Sequence, residues 1–181
     1  AGITALSQSL AAVTDGAGPF MHTATTLDKD ANGYIDGMLL EFSEDVVNVD
    51  PAGGGYGVQG YAVASASVVA DGNVELELTE HVDPAPFDTG ATPVVSYAQG
   101  PGNTHDGVNP PDNEQPTQNA ANGTTVTATD GAGPAIVAAV TSDANGNGHV
   151  DRVVLTYSEN VGGVTGNGAG YEVTDVVYGD Y

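Results

Sequence analysis

The sequence contains no cysteine and no tryptophan, and only two of its 181 residues, Lys29 and Arg152, are lysine or arginine. Without cysteine, neither a disulfide nor a thiolate metal site can brace the fold. No apolar run approaches the roughly 20 residues that a membrane-spanning helix needs. The first residues lack the charged and then apolar pattern of a signal peptide, so we interpret the chain as mature or excised.

Negative charge dominates the composition instead. Twenty-four Asp and Glu side chains give a formal net charge of −22. Repulsion of this size opposes the compact state, and cations, bound or in bulk, should relieve it. Nucleic acids and anionic membranes are poor partners for such a surface. The acidic composition suits both exported surface proteins and proteins of salt-loving organisms.

The chain contains an internal repeat. The segment T-D-G-A-G-P at 14–19 returns unchanged at 129–134, an offset of 115 residues. A repeat of this length is a domain and not a solenoid unit. We therefore predict one complete unit over 14–128 and the first half of a second unit over 129–181. Residues 1–13 would then be the last strand of a preceding unit or a strand donated to a neighbour.

The second unit has no counterpart for the later half of the first. Half a β-sandwich leaves open strand edges and a half-covered core. Two explanations stay open: the chain is a segment of a longer array, or another chain supplies the missing strands. We therefore expect its partners to be adjacent repeats or other copies of itself, the latter by strand exchange.

Short alternating segments predict β-strands. The segments 37–43 and 74–79 place apolar side chains at every second position. Further strands are expected at 20–26, 56–70 (one bent strand or two), 92–98, 123–129 and 135–141, with a tight turn at 71–73 and a polar loop over 99–122. About seven short strands per unit without a helix predict an all-β fold, an antiparallel β-sandwich.

Two acidic loops interrupt this pattern. Residues 28–36 read D-K-D-A-N-G-Y-I-D, and residues 143–151 read D-A-N-G-N-G-H-V-D. Both carry oxygen-bearing side chains at positions 1, 3, 5 and 9 and glycine at position 6, as the front of an EF-hand calcium loop does. The predicted Ca²⁺ ligands are side chains and the position-7 carbonyls: Asp28, Asp30, Asn32, Tyr34, Asp36, Asp143, Asn145, Asn147, His149 and Asp151.

The two loops differ in charge and lack one ligand. The first offers three carboxylates and the second two, so the second should bind Ca²⁺ more weakly. The twelfth position, a bidentate Glu in an EF-hand, is Leu39, so Glu41, Glu44 or water must complete the first site. Other acids could add ligands between units, or simply form turns and strand-end hydrogen bonds: Asp15, Asp130 and Glu159. The metal-free alternative for both loops is an Asn/Asp–Gly turn.

Asp88-Thr89-Gly90 spells the triplet of aspartic proteases. That mechanism needs two Asp residues that share a proton, hence two motifs or a symmetric dimer. The triplet occurs once, after P-A-P-F instead of an apolar strand. We therefore predict no enzymatic activity, and a protease acting through Asp88 stays a third hypothesis.

The chain resembles the Ig-like repeats of large bacterial and archaeal surface proteins, such as S-layer proteins and adhesins, in five successive segments: T-D-G-A-G-P, D-x-D-x-N-G-x-x-D, L-x-F-S-E-x-V, F-D-T-G-A-T-P-V-V-S-Y and T-V-T-A-T-D-G-A-G-P. The resemblance implies tandem Ig-like sandwiches outside the cell, without catalysis. We therefore expect an extracellular, calcium-stabilised structural protein of a surface layer, filament or adhesin stalk. The alternative is a carbohydrate- or surface-binding module that uses the loop 99–122 or tyrosine-bearing strands.

Overall fold

The structure is a computed structural model that describes residues 17–82, 85–99, 104–106, 120, 123–163 and 170–173. These residues form short strands and one 3-10 turn, Ala70–Gly72. The strands are β1 (Met21–Leu27), β2 (Gly37–Phe42), β3 (Val46–Val47), β4 (Tyr56–Val58), β5 (Ala62–Val68), β6 (Val74–Thr79), β7 (Val94–Tyr97), β8 (His105–Asp106), β9 (Thr124–Thr127), β10 (Ile136–Ser142) and β11 (Arg152–Tyr157). The described part of the chain includes no helix that is long and apolar enough to cross a membrane.

Two antiparallel sheets surround one core. Four strands pair in the order β1-β2-β6-β5, and three pair in the order β4-β7-β9. Both sheets contribute to a single buried cluster that includes Ala24, Met38, Leu40, Leu76, Leu78, Tyr56, Val58, Val95 and Tyr97. The edge strand β1 also meets the chain that follows β9, because the Thr26 amide donates to the Thr129 carbonyl at 3.1 Å. The all-β, antiparallel prediction is confirmed.

The alternation in β6 decides which face of its sheet is buried. Val74, Leu76 and Leu78 are exposed by at most 6%. Glu75 and Glu77 lie between them and therefore point to the opposite face. Burial of one such apolar side chain contributes about 1.5–3 kcal/mol, so a slip of one residue in register is strongly disfavoured.

The structure refines two of the predicted segments. The segment 56–70 is two strands, β4 and β5, which belong to different sheets. The tight turn expected before β6 is the 3-10 turn. The chain reverses between β4 and β5 at Gly60, whose φ of 88° favours glycine.

The prediction of a polar loop over 99–122 is wrong at His105–Asp106. These two residues are β8, which pairs with β3. A ladder of two residues is too short to produce an alternating pattern, so neither strand has a sequence signal. The rest of that loop lies outside the described residues, apart from residues 99, 104 and 120.

The strands β10 and β11 repeat the pairing of β1 and β2 at the offset of 115 residues. Leu27 pairs with Gly37 in the first pair of strands, and Ser142 pairs with Arg152 in the second. Both pairs also carry a bulge at the same position, after Met21 and after Ile136. The segment 1–13 and the last eight residues lie outside the described residues, so the division into units stays a prediction.

Candidate metal centre

The loop 28–36 connects β1 to β2 and folds around its own acidic side chains. Gly33, with a φ of 100°, allows the sharp turn. Four backbone amides donate to side-chain oxygens of the loop: Lys29 to Asp36 Oδ1 (2.9 Å), Asn32 to Asp28 Oδ1 (3.2 Å), Gly33 to Asp28 Oδ2 (2.9 Å) and Tyr34 to Asn32 Oδ1 (2.9 Å). Each carboxylate oxygen has a second lone pair, so the acids remain able to bind a cation.

The loop 143–151 makes the same contacts at equivalent positions. Its amide bonds run from Ala144 to Asp151 Oδ1 (2.8 Å), Asn147 to Asp143 Oδ1 (3.2 Å), Gly148 to Asp143 Oδ2 (2.6 Å) and His149 to Asn147 Oδ1 (2.9 Å). The two loops therefore share one backbone design. They differ at position 3, where the second loop has Asn145 in place of an aspartate. The side-chain amide of Asn145 donates to Asp151 Oδ2 at 2.8 Å.

An acid from outside the loop joins the first site. Glu80 directly follows β6, and the antiparallel pairing of β6 with β2 brings it to the loop. Oxygens of Asp30, Asp36 and Glu80 lie within 4.8 Å of one another. Ca²⁺ binds oxygens at about 2.3–2.6 Å, so oxygens on one ion lie within about 5 Å of each other. These three carboxylates therefore have the spacing of ligands to one divalent cation.

Glu80 is the acid that sequence reasoning missed. Within the described residues, the one group of three spaced for a metal contains Glu80 and neither Glu41 nor Glu44. The Asn32 side-chain amide already links the loop to it, donating to both Glu80 oxygens at 3.2 Å. The available signal was the alternation of V-E-L-E-L-T-E, which becomes informative only once β6 is paired with β2.

Tyr34 and Lys29 point away from the acids of the loop. The Tyr34 hydroxyl donates to the Ala85 carbonyl at 3.1 Å, so only its backbone carbonyl is a candidate ligand. The Lys29 ammonium binds Glu75 at 3.1 Å and also pairs with Glu77. Burial lowers the pKa of Lys29, but the hydrogen bonds and charges of Glu77 and Glu75 outweigh it and raise the pKa. The Lys29 ammonium therefore forms ion pairs with β6 and not with the acids of its own loop.

The loop 143–151 lowers the pKa of its first residue, Asp143. Hydrogen bonds from backbone amides, chiefly that of Gly148, hold the pKa of Asp143 below its ordinary value. A lowered folded-state pKa stabilises the loop above about pH 4 and loses that contribution as the pH falls through the folded pKa. We expect an NMR titration to give Asp143 a lower pKa in the folded chain than in the chain unfolded by urea. Equal values in the two states would contradict this.

Asp88 ties the first loop to the body of the protein. Its Oδ1 accepts from the Ile35 amide at 2.8 Å, and its Oδ2 accepts from the Tyr61 hydroxyl at 2.8 Å. The same Oδ2 lies 2.8 Å from His81 Nδ1. His81 Nε2 lies 3.1 Å from the Gly60 carbonyl. These contacts place the His81 imidazole between a carboxylate and a carbonyl, which are both hydrogen-bond acceptors.

This geometry gives Asp88 a structural role. Its side chain is only 12% exposed, and its acceptors are used by a backbone amide, a phenol and an imidazole. Burial, followed by the hydrogen bond and the charge of Asp88, raises the pKa of Tyr61. The ionisable side chains that face Asp88 are thus a histidine and a tyrosine, whereas the protease mechanism requires a second carboxyl.

The turn after Asp88 contacts the chain just after β11. The Thr89 hydroxyl, which is fully buried, lies 2.8 Å from the Ser158 hydroxyl. Burial, followed by the charge of Asp130, raises the pKa of Glu159. Asp130 and Glu159 are thus close enough to repel each other, but in the described residues they belong to no group of three acids. Asp15 lies outside the described residues.

Comparisons of the chain with protein-family models, with curated proteins and with solved structures found no match. Function must therefore be inferred from the residues and their geometry.

Proposed function

We propose that the protein is an extracellular structural module in which Ca²⁺ at the loop 28–36 locks an Ig-like β-sandwich. The observation that carries this proposal is the meeting of Asp30, Asp36 and Glu80 within 4.8 Å. The EF-hand spacing of the loop supplies Asp28, Asn32 and the Tyr34 carbonyl as further oxygens. The second loop, with one carboxylate fewer, is the weaker site.

A cation at this position would crosslink the sheet. The loop joins β1 to β2, and Glu80 follows β6, so one ion would bridge three neighbouring strands. It would also neutralise part of the repulsion in a chain of formal net charge −22. An ion that binds only the folded state stabilises it by mass action, by about 2.7 kcal/mol at a hundred times its dissociation constant.

Further observations support the Ig-like tandem architecture. Two antiparallel sheets share one buried cluster, as the layers of a sandwich do. The register of β10 with β11 repeats that of β1 with β2. The acidic, cysteine-free composition and the resemblance to surface-protein repeats favour a structural part of a surface layer, filament or adhesin stalk. The alternative, carbohydrate binding through the loop 99–122 or through tyrosine-bearing strands, stays a hypothesis, and most of that loop lies outside the described residues.

Limited proteolysis tests the calcium proposal. The two bonds that trypsin can cleave follow Lys29, inside the first loop, and Arg152, beside the second. A bound cation should restrict local opening, so cleavage after Lys29 is expected to be slow in Ca²⁺ and fast in chelator. Cleavage after Arg152, next to the weaker site, should respond less and serves as the internal control. Equal cleavage after Lys29 in both conditions would remove the metal from the proposal.

A further inference from the structure

The sheet of β10 and β11 exposes the face that is buried in the first unit. Three of its apolar side chains are substantially exposed: Ile136 (53%), Val150 (47%) and Val153 (37%). Their counterparts 115 residues earlier belong to the core: Met21 (1%), Ile35 (0%) and Met38 (0%). The same sequence positions therefore form a closed core in one unit and an open face in the other.

A groove runs along this open face. It has a volume of about 420 Å³ and is lined by Glu172 and by six apolar or aromatic residues: Ile136, Val153, Leu155, Tyr157, Tyr171 and Val173. Tyr171 and Val173 correspond to Tyr56 and Val58 of β4 at the offset of 115 residues, and these two residues are buried in the first unit. The groove is thus the space that a core occupies in the first unit. An exposed apolar groove of this kind is a candidate interaction site.

In the first unit, β6 borders the corresponding space. It pairs with β2 on the edge opposite β1, with Leu76 against Met38 and Val74 against Leu40. The equivalent edge of β11 carries no paired strand in the described part of the chain. An edge with unpaired backbone donors and acceptors is a template for an added strand.

Charge at this edge indicates the chemistry of the missing strand. In the first unit the Lys29 side chain lies beside Gly37 and binds Glu75 and Glu77 of β6. In the second unit Ala144 replaces Lys29, and Arg152 replaces Gly37. The positive charge has moved to another residue but remains at the same edge. The only lysine of the chain thus lies beside Gly37, and the only arginine stands at the position equivalent to Gly37. Arg152 has no ion-pair partner among the described residues.

We propose that β11 and its groove bind an extended strand that alternates apolar and acidic residues, as β6 does. The strand pairs antiparallel with β11, as V-E-L-E-L-T does with β2, its apolar residues enter the groove, and an acidic residue binds Arg152. This partner deepens the proposed function and rests on it for the tandem architecture, but not for calcium.

A labelled peptide with the sequence of 73–80, N-V-E-L-E-L-T-E, tests the proposal by fluorescence anisotropy with the full chain. The control peptide carries lysine in place of the glutamates at 75 and 77. At a formal net charge of −22, long-range attraction favours the lysine peptide, whereas local pairing with Arg152 favours the glutamate peptide. We expect the lysine peptide to bind roughly tenfold more weakly at physiological salt, because opposite-charge pairs become like-charge pairs.

Variants of Arg152 complete the test. Arg152→Glu should reverse the preference between the two peptides, and Arg152→Lys should keep it. Failure of the glutamate peptide to bind, or equal binding of both peptides, would overturn the proposal. If sedimentation shows that the wild-type chain is a dimer and that the Leu155→Glu variant is a monomer, a second copy of the chain covers this face and the proposal is overturned. Protection of Lys29 from trypsin by Ca²⁺ would be unaffected by these outcomes, so the two proposals fail separately.

Discussion

We expect saturating Ca²⁺ to raise the thermal unfolding midpoint of the protein, and the variant Glu80→Gln to lose most of that increase. The reason is that Glu80 brings the third carboxylate to Asp30 and Asp36. At a hundred times the dissociation constant, binding contributes about 2.7 kcal/mol. For a chain of this length that corresponds to a shift of about 5–10 °C. Circular dichroism melts in Ca²⁺ and in chelator, at equal ionic strength, measure it.

The matched control for this prediction is Glu41→Gln. It removes the same charge from β2, and Glu41 was the ligand that the sequence alone favoured as much as Glu44. We expect Glu41→Gln to retain most of the shift and Glu80→Gln to weaken Ca²⁺ binding by about tenfold or more in calorimetry. Equal behaviour of the two variants would show that Glu80 is not a ligand. If sodium chloride at matched ionic strength reproduced the whole shift, the stabilisation would be charge screening and not binding.

We expect Asp88→Ala to lower the free energy of unfolding by about 1–3 kcal/mol, the scale for leaving a buried hydrogen-bond donor without its acceptor. The substitution leaves the Ile35 amide, the Tyr61 hydroxyl and the His81 imidazole without the carboxylate that they share. Urea unfolding followed by tyrosine fluorescence measures the loss. It should appear in chelator as well as in Ca²⁺, because Asp88 is not one of the clustered acids.

Asp88→Asn separates the contributions of Asp88. It keeps an acceptor for the Ile35 amide but removes the negative charge that faces His81, so an intermediate loss is expected. Asp50→Ala is the comparison for an exposed Asp hydrogen bond, since the Asp50 side chain accepts from the nearby Ala52 amide at 3.0 Å. A change of less than about 0.5 kcal/mol for Asp88→Ala would contradict the structural role. Loss of peptide hydrolysis with unchanged stability would instead favour the protease hypothesis.

Local patterns predicted the strands and the design of the loops. Alternation of apolar residues located β2 and β6, and both lie within a residue of the predicted segments. The spacing of Asp, Asn and Gly in 28–36 and 143–151 also predicted two loops of one kind, and their amide contacts are the same. These features depend on residues close in sequence, where side-chain period and glycine conformation act directly.

The sequence by itself determined the all-β class, the acidic loops and the repeat of the β1–β2 register in β10–β11. Only the tertiary structure decided that β2 pairs with β6, which brings Glu80 to the loop, and that Asp88 meets His81 and the Ile35 amide. Strand pairing across dozens of residues depends on how whole faces pack, and many pairings satisfy the same alternation. The partner of each acid was therefore fixed by packing and not by its neighbours in the chain.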